Sequence, residues 1–312
     1  MNKTRTLPRR DFDSREEPVS GRKAPAALAA AFGLLKSGWF TAVLLSLLVA
    51  VLFFDIVSAL VADWDRDPDS SHGFLVPFIA GYFVWQRRET LRRISITPSY
   101  WGGGAVLGMG LGLLVFGSIG AEYFTQRISL IVVIAGIVLL ILGREYLRAL
   151  AFPIAFLFFM VPLPTIILNS IAFPLQMFAA KTATASLFCL GIPVLREGNV
   201  IVLSQTTLEV AEACSGIRSL QALLALGAVY AYFTQSTRWK QWLLVGLTIP
   251  IAIAANAFRV SGTGILAHYW GLEVAEGFYH TLSGLIIFGV AFALLLAAGV
   301  VVSRLPERGK SS

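Results

Sequence analysis

Two cysteines, three histidines and a few arginines stand inside or beside runs that are otherwise apolar. Three of these residues combine into one chemistry. Cys214 lies in "VAEACSGIRSLQALLAL", where an apolar run begins. Arg259 lies in "NAFRVSG", where another ends, and His280 in "EGFYHTLSG", where a third begins. A thiolate attacks a carbonyl, and an imidazole takes and returns protons near neutral pH. A guanidinium holds the developing oxyanion and never loses its own charge. Cationic neighbours also lower a thiol pKa. Together the three side-chain types perform acyl transfer. Each also has an ordinary reading. A cysteine in a membrane helix packs as a small apolar residue. An arginine near a helix end snorkels to the headgroups, and a histidine there hydrogen-bonds at the interface. Cys189 and Cys214 would also pair as a disulfide on an oxidising side of the membrane.

Other polar residues surround this set. Arg218, four residues after Cys214, shares a face with it if both are on one helix. It would bind a substrate carboxylate, tune the thiol or pair with Glu212. Asn256 sits one turn before Arg259 and would orient it or His280. His72, in "SSHGFLVP", either binds substrate or caps the run that follows it. Glu209 reads as a solvated charge, and His268, beside Tyr269 and Trp270, as part of an interfacial aromatic belt. The histidines are dispersed, with no HExxH, no Cys-x-x-Cys and no glycine-rich phosphate loop, so neither a metal nor a cofactor is expected.

The elements that must position these residues are membrane helices. The chain has 312 residues, of which 56% are hydrophobic and only 14% charged, with a mean hydropathy of +0.75. A soluble domain is nearer a quarter charged. Runs approaching the ~20 residues that span a bilayer point to helices rather than to the short alternating strands of a barrel. The sequence predicts an all-α polytopic membrane protein with about eight spans, near 39–62, 73–86, 101–120, 128–143, 149–168, 215–234, 242–259 and 281–303. Residues 1–38 form a polar basic cytoplasmic tail, 39–303 the transmembrane core and 304–312 a second basic tail.

Orientation follows from charge. The two tails, "QRRETLRRISITPS", "GREYLR" and "TQSTRWKQ" hold 19 of the 25 Lys and Arg. Arg66, Arg127, Lys181, Arg196, Arg218 and Arg259 remain for the other side, with acids such as Asp63, Asp65, Asp67 and Asp69. The positive-inside rule puts both termini in the cytoplasm and the Cys–Arg–His set outside. A ninth span at 169–190 would reverse the last basic segments, so that stretch reads as an extracytoplasmic interfacial or re-entrant helix. Its Ala, Ser and Thr suit close helix packing. After Gly-Ile-Pro, the β-prone runs 200–203 and 207–210 predict a small hairpin before the sixth span. The glycines of "GGGAVLGMGLG" either pack helices closely or line a substrate entry. The charge of +7 lies in tails and loops, so nucleic acid is not an expected partner.

Several segments together resemble the exosortase/archaeosortase family. They are "EACSGIRS" at 212–219, "NAFRV" at 256–260 and "GFYHTLSG" at 277–284, with "SHGFLVP" at 71–77, "VPLP" at 161–164 and "GIPVLREGNVI" at 191–201. The resemblance covers roughly residues 40–303. It implies a cysteine protease/transpeptidase of the bacterial inner membrane. Its partners would be exported proteins with a C-terminal sorting signal: a short motif (often Pro-Glu-Pro), one transmembrane helix and a basic cluster. It implies Cys214 as nucleophile, with Arg259 and His280 completing the site. The acceptor that releases the acyl group is water or an amine. Two other classes remain open from the residues: a non-catalytic component of exopolysaccharide export or assembly, and a small-molecule transporter. Transporter sites lie near the midplane, whereas the polar set here gathers at one face.

Overall fold

The computed structural model describes residues 38–67, 70–204, 206–210, 216–271 and 278–306, with backbone alone at 38–42 and 278–281. The chain clusters into two compact units, Met1–Phe54 and Asp55–Ser312. The expected N-terminal tail and the last residues of the C-terminal tail fall outside the described residues.

The first unit carries helix α1, Gly38–Leu52. Leu47 is 60% and Val51 70% exposed. Such a surface suits lipid, because in water it would be a large apolar patch.

The second unit is built from α2 (Phe54–Arg66), a 3₁₀ turn (Ser71–Phe74), α3 (Leu75–Gln86), α4 (Arg88–Arg93), α5 (Tyr100–Ile119), α6 (Tyr123–Ile141) and α7 (Arg144–Phe156). After a second 3₁₀ turn (Leu157–Met160) come α8 (Thr165–Cys189), strands β1 (Val194–Glu197), β2 (Val200–Leu203) and β3 (Thr207–Glu209), then α9 (Ile217–Thr234), α10 (Arg238–Trp270) and α11 (Phe278–Arg304). By length and composition five helices can cross a membrane: α5, α6, α8, α10 and the part of α11 from Leu282. The count is six if Val43–Leu52 and Phe54–Arg66 make one broken span.

Four sequence expectations change. The run at 149–168 is not one helix. Two prolines in Val161-Pro162-Leu163-Pro164 remove backbone donors and push the residues before them toward extended geometry. Val161 is extended there, and α8 starts only at Thr165. The helix expected at 169–190 as interfacial or re-entrant starts earlier, at Thr165, and is one continuous 25-residue helix, α8, long and apolar enough to cross a membrane. The helix carrying Arg259 does not end at "NAFRVSG" but runs on to Trp270. The hairpin is a three-stranded antiparallel sheet in the order β1-β2-β3. Its extra strand turns at Gly198-Asn199, with Glu197 opposite Val200 and Gly198 at φ +66°. A two-residue hairpin turn with positive φ at its first central position calls for glycine there.

α5 and α6 pack through glycine. Gly103, Gly110 and Gly117 recur at seven-residue intervals along one face of α5. A Cβ on Gly110 would lie 2.8 Å from Val133 Cγ2, and one on Gly117 2.9 Å from Gln126 Cγ. At Gly103 it would collide with the Leu140 backbone, while Gly136 of α6 returns the close approach to Leu107. Gly104, Gly108 and Gly112 face open space. Close helix contact is thus what the packing glycines do. Glu122 caps α6, accepting from the Phe124 and Thr125 backbone amides at 3.0 and 2.6 Å. A hydrogen bond with the Thr125 side chain, and after it these two backbone bonds, hold its carboxyl below the usual range.

Direct contacts gather the basic segments at one end of this unit. The Arg87 guanidinium donates to the Ala149 carbonyl at 2.6 Å and lies 5.1 Å over the Tyr232 ring. Tyr146 donates to the Leu91 carbonyl, Gln235 to Gly299, and buried Lys240 to Ser303. At the other end, Arg127 is buried and ion-paired with Asp63.

Candidate functional site

The site region lies between two apolar cores. One core joins α9, the first half of α10 and α11 through Leu223, Ala231, Leu244, Ala252, Ala291 and Leu295. The other is a cap, in which the end of α8 (Ala179, Ala180, Ala183, Leu187) meets the sheet (Ile201, Leu203, Leu208) and the last turns of α10 (Val260, Ala267). Alternate residues of β2 and β3 point inward, as the two-residue period of a strand requires. Both cores share α10, and Asn256 and Arg259 sit on it where one core gives way to the other.

At 1.5 Å per residue, Arg259 lies about 32 Å along α10 from Arg238, close to the ~30 Å of a hydrocarbon core. A further ~17 Å of helix then enters the cap. That continuation uses "SGTG", which resembles a helix end. The Ser261 and Thr263 hydroxyls donate to the carbonyls four residues back, Ala257 and Arg259, at 2.9 and 3.0 Å. Gly264 admits Leu187 of α8, whose Cδ1 would lie 2.9 Å from a Cβ placed there. Asn256 is buried, and Arg259 is half-buried.

Two other elements close on this turn of α10. α9 starts at Ile217, after Gly216 in the left-handed region at φ +79°. A Cβ on Gly216 would fall 2.6 Å from Asn256 Cγ, so the chain enters α9 pressed against Asn256. On α11, a Cβ on Gly284 would lie 3.7 Å from Arg259 Nη1. Ser219 of α9, Arg259 and Gly284 line one small cavity. Glu209 of β3 and the adjoining Val210 line a second with Arg259 and Thr263. Arg259 therefore borders both the helix bundle and the sheet.

The expected site residues distribute as follows. Arg259 and Asn256 share this junction. Cys214 and Glu212 lie outside the described residues; Gly216, two positions after Cys214, is at the junction. His280 lies in the first turn of α11, one turn before Gly284, and its side chain lies outside the described residues. Arg218 is exposed in the first turn of α9. Its helix begins only after the left-handed Gly216, and position 214 lies outside the described residues. His72 is in the first 3₁₀ turn and lines a different cavity, with Met160 and Gln221. Cys189 ends α8 as an exposed free thiol. His268 is in the last turn of α10, edge-on to Tyr269 with ring centroids 4.9 Å apart. Glu209 is exposed on β3. Gly216 and Gly284 were not singled out from sequence, although each stands inside a quoted motif, "CSGIRS" and "HTLSG".

Membrane-length helices and a sheet-bearing cap that meet at a half-buried arginine define a polytopic helical membrane protein with one polar junction. The chain matches the transmembrane exosortases over residues 64–297, which contain the whole junction, and it belongs to the exosortase family. No curated protein and no solved structure matches it.

Proposed function

We propose that the chain is a membrane-embedded cysteine protease/transpeptidase that cleaves C-terminal sorting signals of exported proteins at the outer face of a bacterial inner membrane. One observation carries the reading. The Arg259 guanidinium lies against α11 one turn beyond residue 280, on the same turn of α10 that receives Gly216, two residues beyond 214. The Cys214 thiolate attacks the scissile carbonyl, and Arg259 holds the oxyanion. His280 gives a proton to the leaving amine as the C–N bond breaks, leaving a thioacyl-enzyme. Water or an amine then attacks the thioester, His280 takes the proton lost by that nucleophile, and the thiolate is freed.

The orientation belongs to the proposal. Four basic segments meet at one end of the second unit, and the positive-inside rule makes that end cytoplasmic. A substrate anchored by its own C-terminal helix and basic cluster then presents its motif at the opposite face. The test is processing of such a substrate beside variants matched for membrane level. Cys214→Ala and Cys214→Ser abolish it, because a hydroxyl at its normal pKa is a poorer nucleophile. Arg259→Lys keeps the charge but loses the planar fork, and costs about 10²–10³ in rate. His280→Ala loses proton transfer, about 10²–10⁴. Cys189→Ala is silent. Normal processing by Cys214→Ala contradicts the reading.

A further inference from the structure

We infer that the cavity between the first 3₁₀ turn and α9 is the subsite that receives an uncharged, apolar side chain of the substrate peptide a few residues from the scissile bond. This rests on the peptidase reading and assigns it a specificity determinant. Two segments that the Cys–Arg–His chemistry leaves unused, "SHGF" and "MVPLP", come together here. Trp64 ties them: its indole N–H donates to the Met160 carbonyl at 2.8 Å, and Phe74 meets its ring edge-on at 5.3 Å. Gly73 lies so close to the indole that no Cβ fits. The two 3₁₀ turns are therefore held against each other, and a cavity of about 230 Å³ opens between them and α9. Phe124, Phe159, Met160 and Leu224 give apolar walls, with Ser70, His72 and Gln221 as polar groups.

Charge, size and position select the occupant. No Lys, Arg, Asp or Glu lines the cavity among the described residues. An ammonium there would meet no carboxylate, and a carboxylate or phosphate only the imidazole of His72, so an uncharged occupant is favoured. The volume is below the ~300 Å³ at which small-molecule pockets usually begin. It holds one or two side chains rather than a free metabolite. Gln221 and Leu224 belong to the first turns of the helix that Gly216 opens. Gly216 to Gln221 is about 7.5 Å along a helix axis, and Gln221 stands on a different face of α9 from the Gly216 and Ser219 that meet Asn256 and Arg259, so the path round the helix is the reach of about four extended residues. A peptide whose carbonyl lies at Arg259 therefore has the cavity within its next few side chains.

The probe is an exported reporter ending in an apolar helix and a basic cluster, with the residues before the helix set in turn to Ala, Leu and Phe. At one of these positions, Leu224→Trp lowers processing of the Leu and Phe reporters tenfold or more, on the scale of ~10–200-fold per methylene in a filled pocket. The Ala reporter at that position keeps its rate. Phe159→Ala shifts the preference toward the larger residue. Alkylation of Cys214 by iodoacetamide at an unchanged rate shows that the junction is intact in both. Equal loss across all reporters, or no change in either variant, overturns the subsite. So does a dependence on the acyl-chain length of the reconstituting lipid in place of the reporter's residue, which would make the cavity a lipid site. A photo-crosslinking residue at the same reporter position, used with Cys214→Ala protein, reads the subsite apart from the chemistry. Capture on the peptide containing Phe159 and Met160 is expected whether or not any reporter is cut, and no capture there overturns the subsite. Processing that survives in Cys214→Ala overturns the peptidase reading alone.

Discussion

The α5–α6 pair and the α9–α10–α11 bundle are made of similarly apolar sequence, yet they are held together differently. In α5–α6 the interface is glycine against backbone, at Gly103, Gly110 and Gly136. Its buried polar residues, Arg127 and Ser129, stand at the beginning of α6, where Arg127 pairs with Asp63. In the bundle, Gln235, Lys240, Thr248, Asn256, Ser261 and Thr263 are all buried, three of them along the second half of α10. Lipid gives no hydrophobic drive between helices, so close van der Waals contact is the least expensive way to join two of them. Burying polar groups costs more and marks function. The first pair is a scaffold. The second spends stability on a polar junction, and that contrast, more than any single residue, separates the site from the rest of the membrane core.

The sharpest break of the contrast is at Gly216. Gly216→Ala adds a Cβ 2.6 Å from Asn256 Cγ at a φ of +79°, which L-residues rarely adopt. It displaces the start of α9, and a misplacement of about 1 Å costs roughly 10²-fold in rate. Processing falls that far while the protein still accumulates in the membrane. A scaffold glycine behaves oppositely. Gly103→Val forces α5 away from the Leu140 backbone and lowers stability by about 1–3 kcal/mol, and activity then tracks the amount of folded protein. Gly104→Val, which faces open space, does neither. Matched expression and processing assays on the three variants separate the two kinds of glycine.

Gly284 sharpens the comparison with a graded series. A Cβ there makes ordinary contact with Arg259 Nη1 at 3.7 Å, so Gly284→Ala is nearly neutral. Gly284→Leu pushes the guanidinium aside and approaches the Arg259→Lys loss. Equal activity of the two variants would detach Arg259 from the chemistry. The smallest effect belongs to the scaffold, at Glu122. Its carboxyl titrates below the usual range because of its hydrogen bonds, first to Thr125. The cap is therefore fully present above the ordinary carboxylate pKa and is lost as pH falls through the lowered value. Glu122→Gln removes about 1 kcal/mol near neutral pH and flattens the acid limb of a denaturation series.

Much of this was legible in the sequence. Apolar runs gave most of the helices, and β-branched runs gave β2 and β3. Charge grouped segments that the structure does bring into contact, such as Lys240 with Ser303. Strand β1 was missed because Val194–Glu197 alternates half-buried and exposed residues, without the fully buried positions of β2. The length of α10 was missed because "SGTG" reads locally as a helix end. Hydroxyls bonded back to the helix and a glycine seated on Leu187 override that propensity, and neither is visible without the tertiary partner. The "VPLP" break was overlooked because composition alone favours a continuous span there, although the prolines gave the signal. Of the candidate site, Asn256 and Arg259 were found by type and spacing. Gly216 and Gly284 were not, because glycine carries no chemistry and declares itself only by what approaches it.

The proposed chemistry turns on a thioester at one cysteine. Purified enzyme is incubated with an exported reporter carrying a C-terminal helix and basic cluster, quenched in acid, digested and analysed by mass spectrometry. The reporter's N-terminal portion should appear as an acyl adduct on the peptide containing Cys214. The adduct should be released by hydroxylamine, remain in Cys189→Ala and be absent from Cys214→Ala. An adduct on Cys189, or continued processing with no adduct formed and Cys214 replaced, would contradict the account.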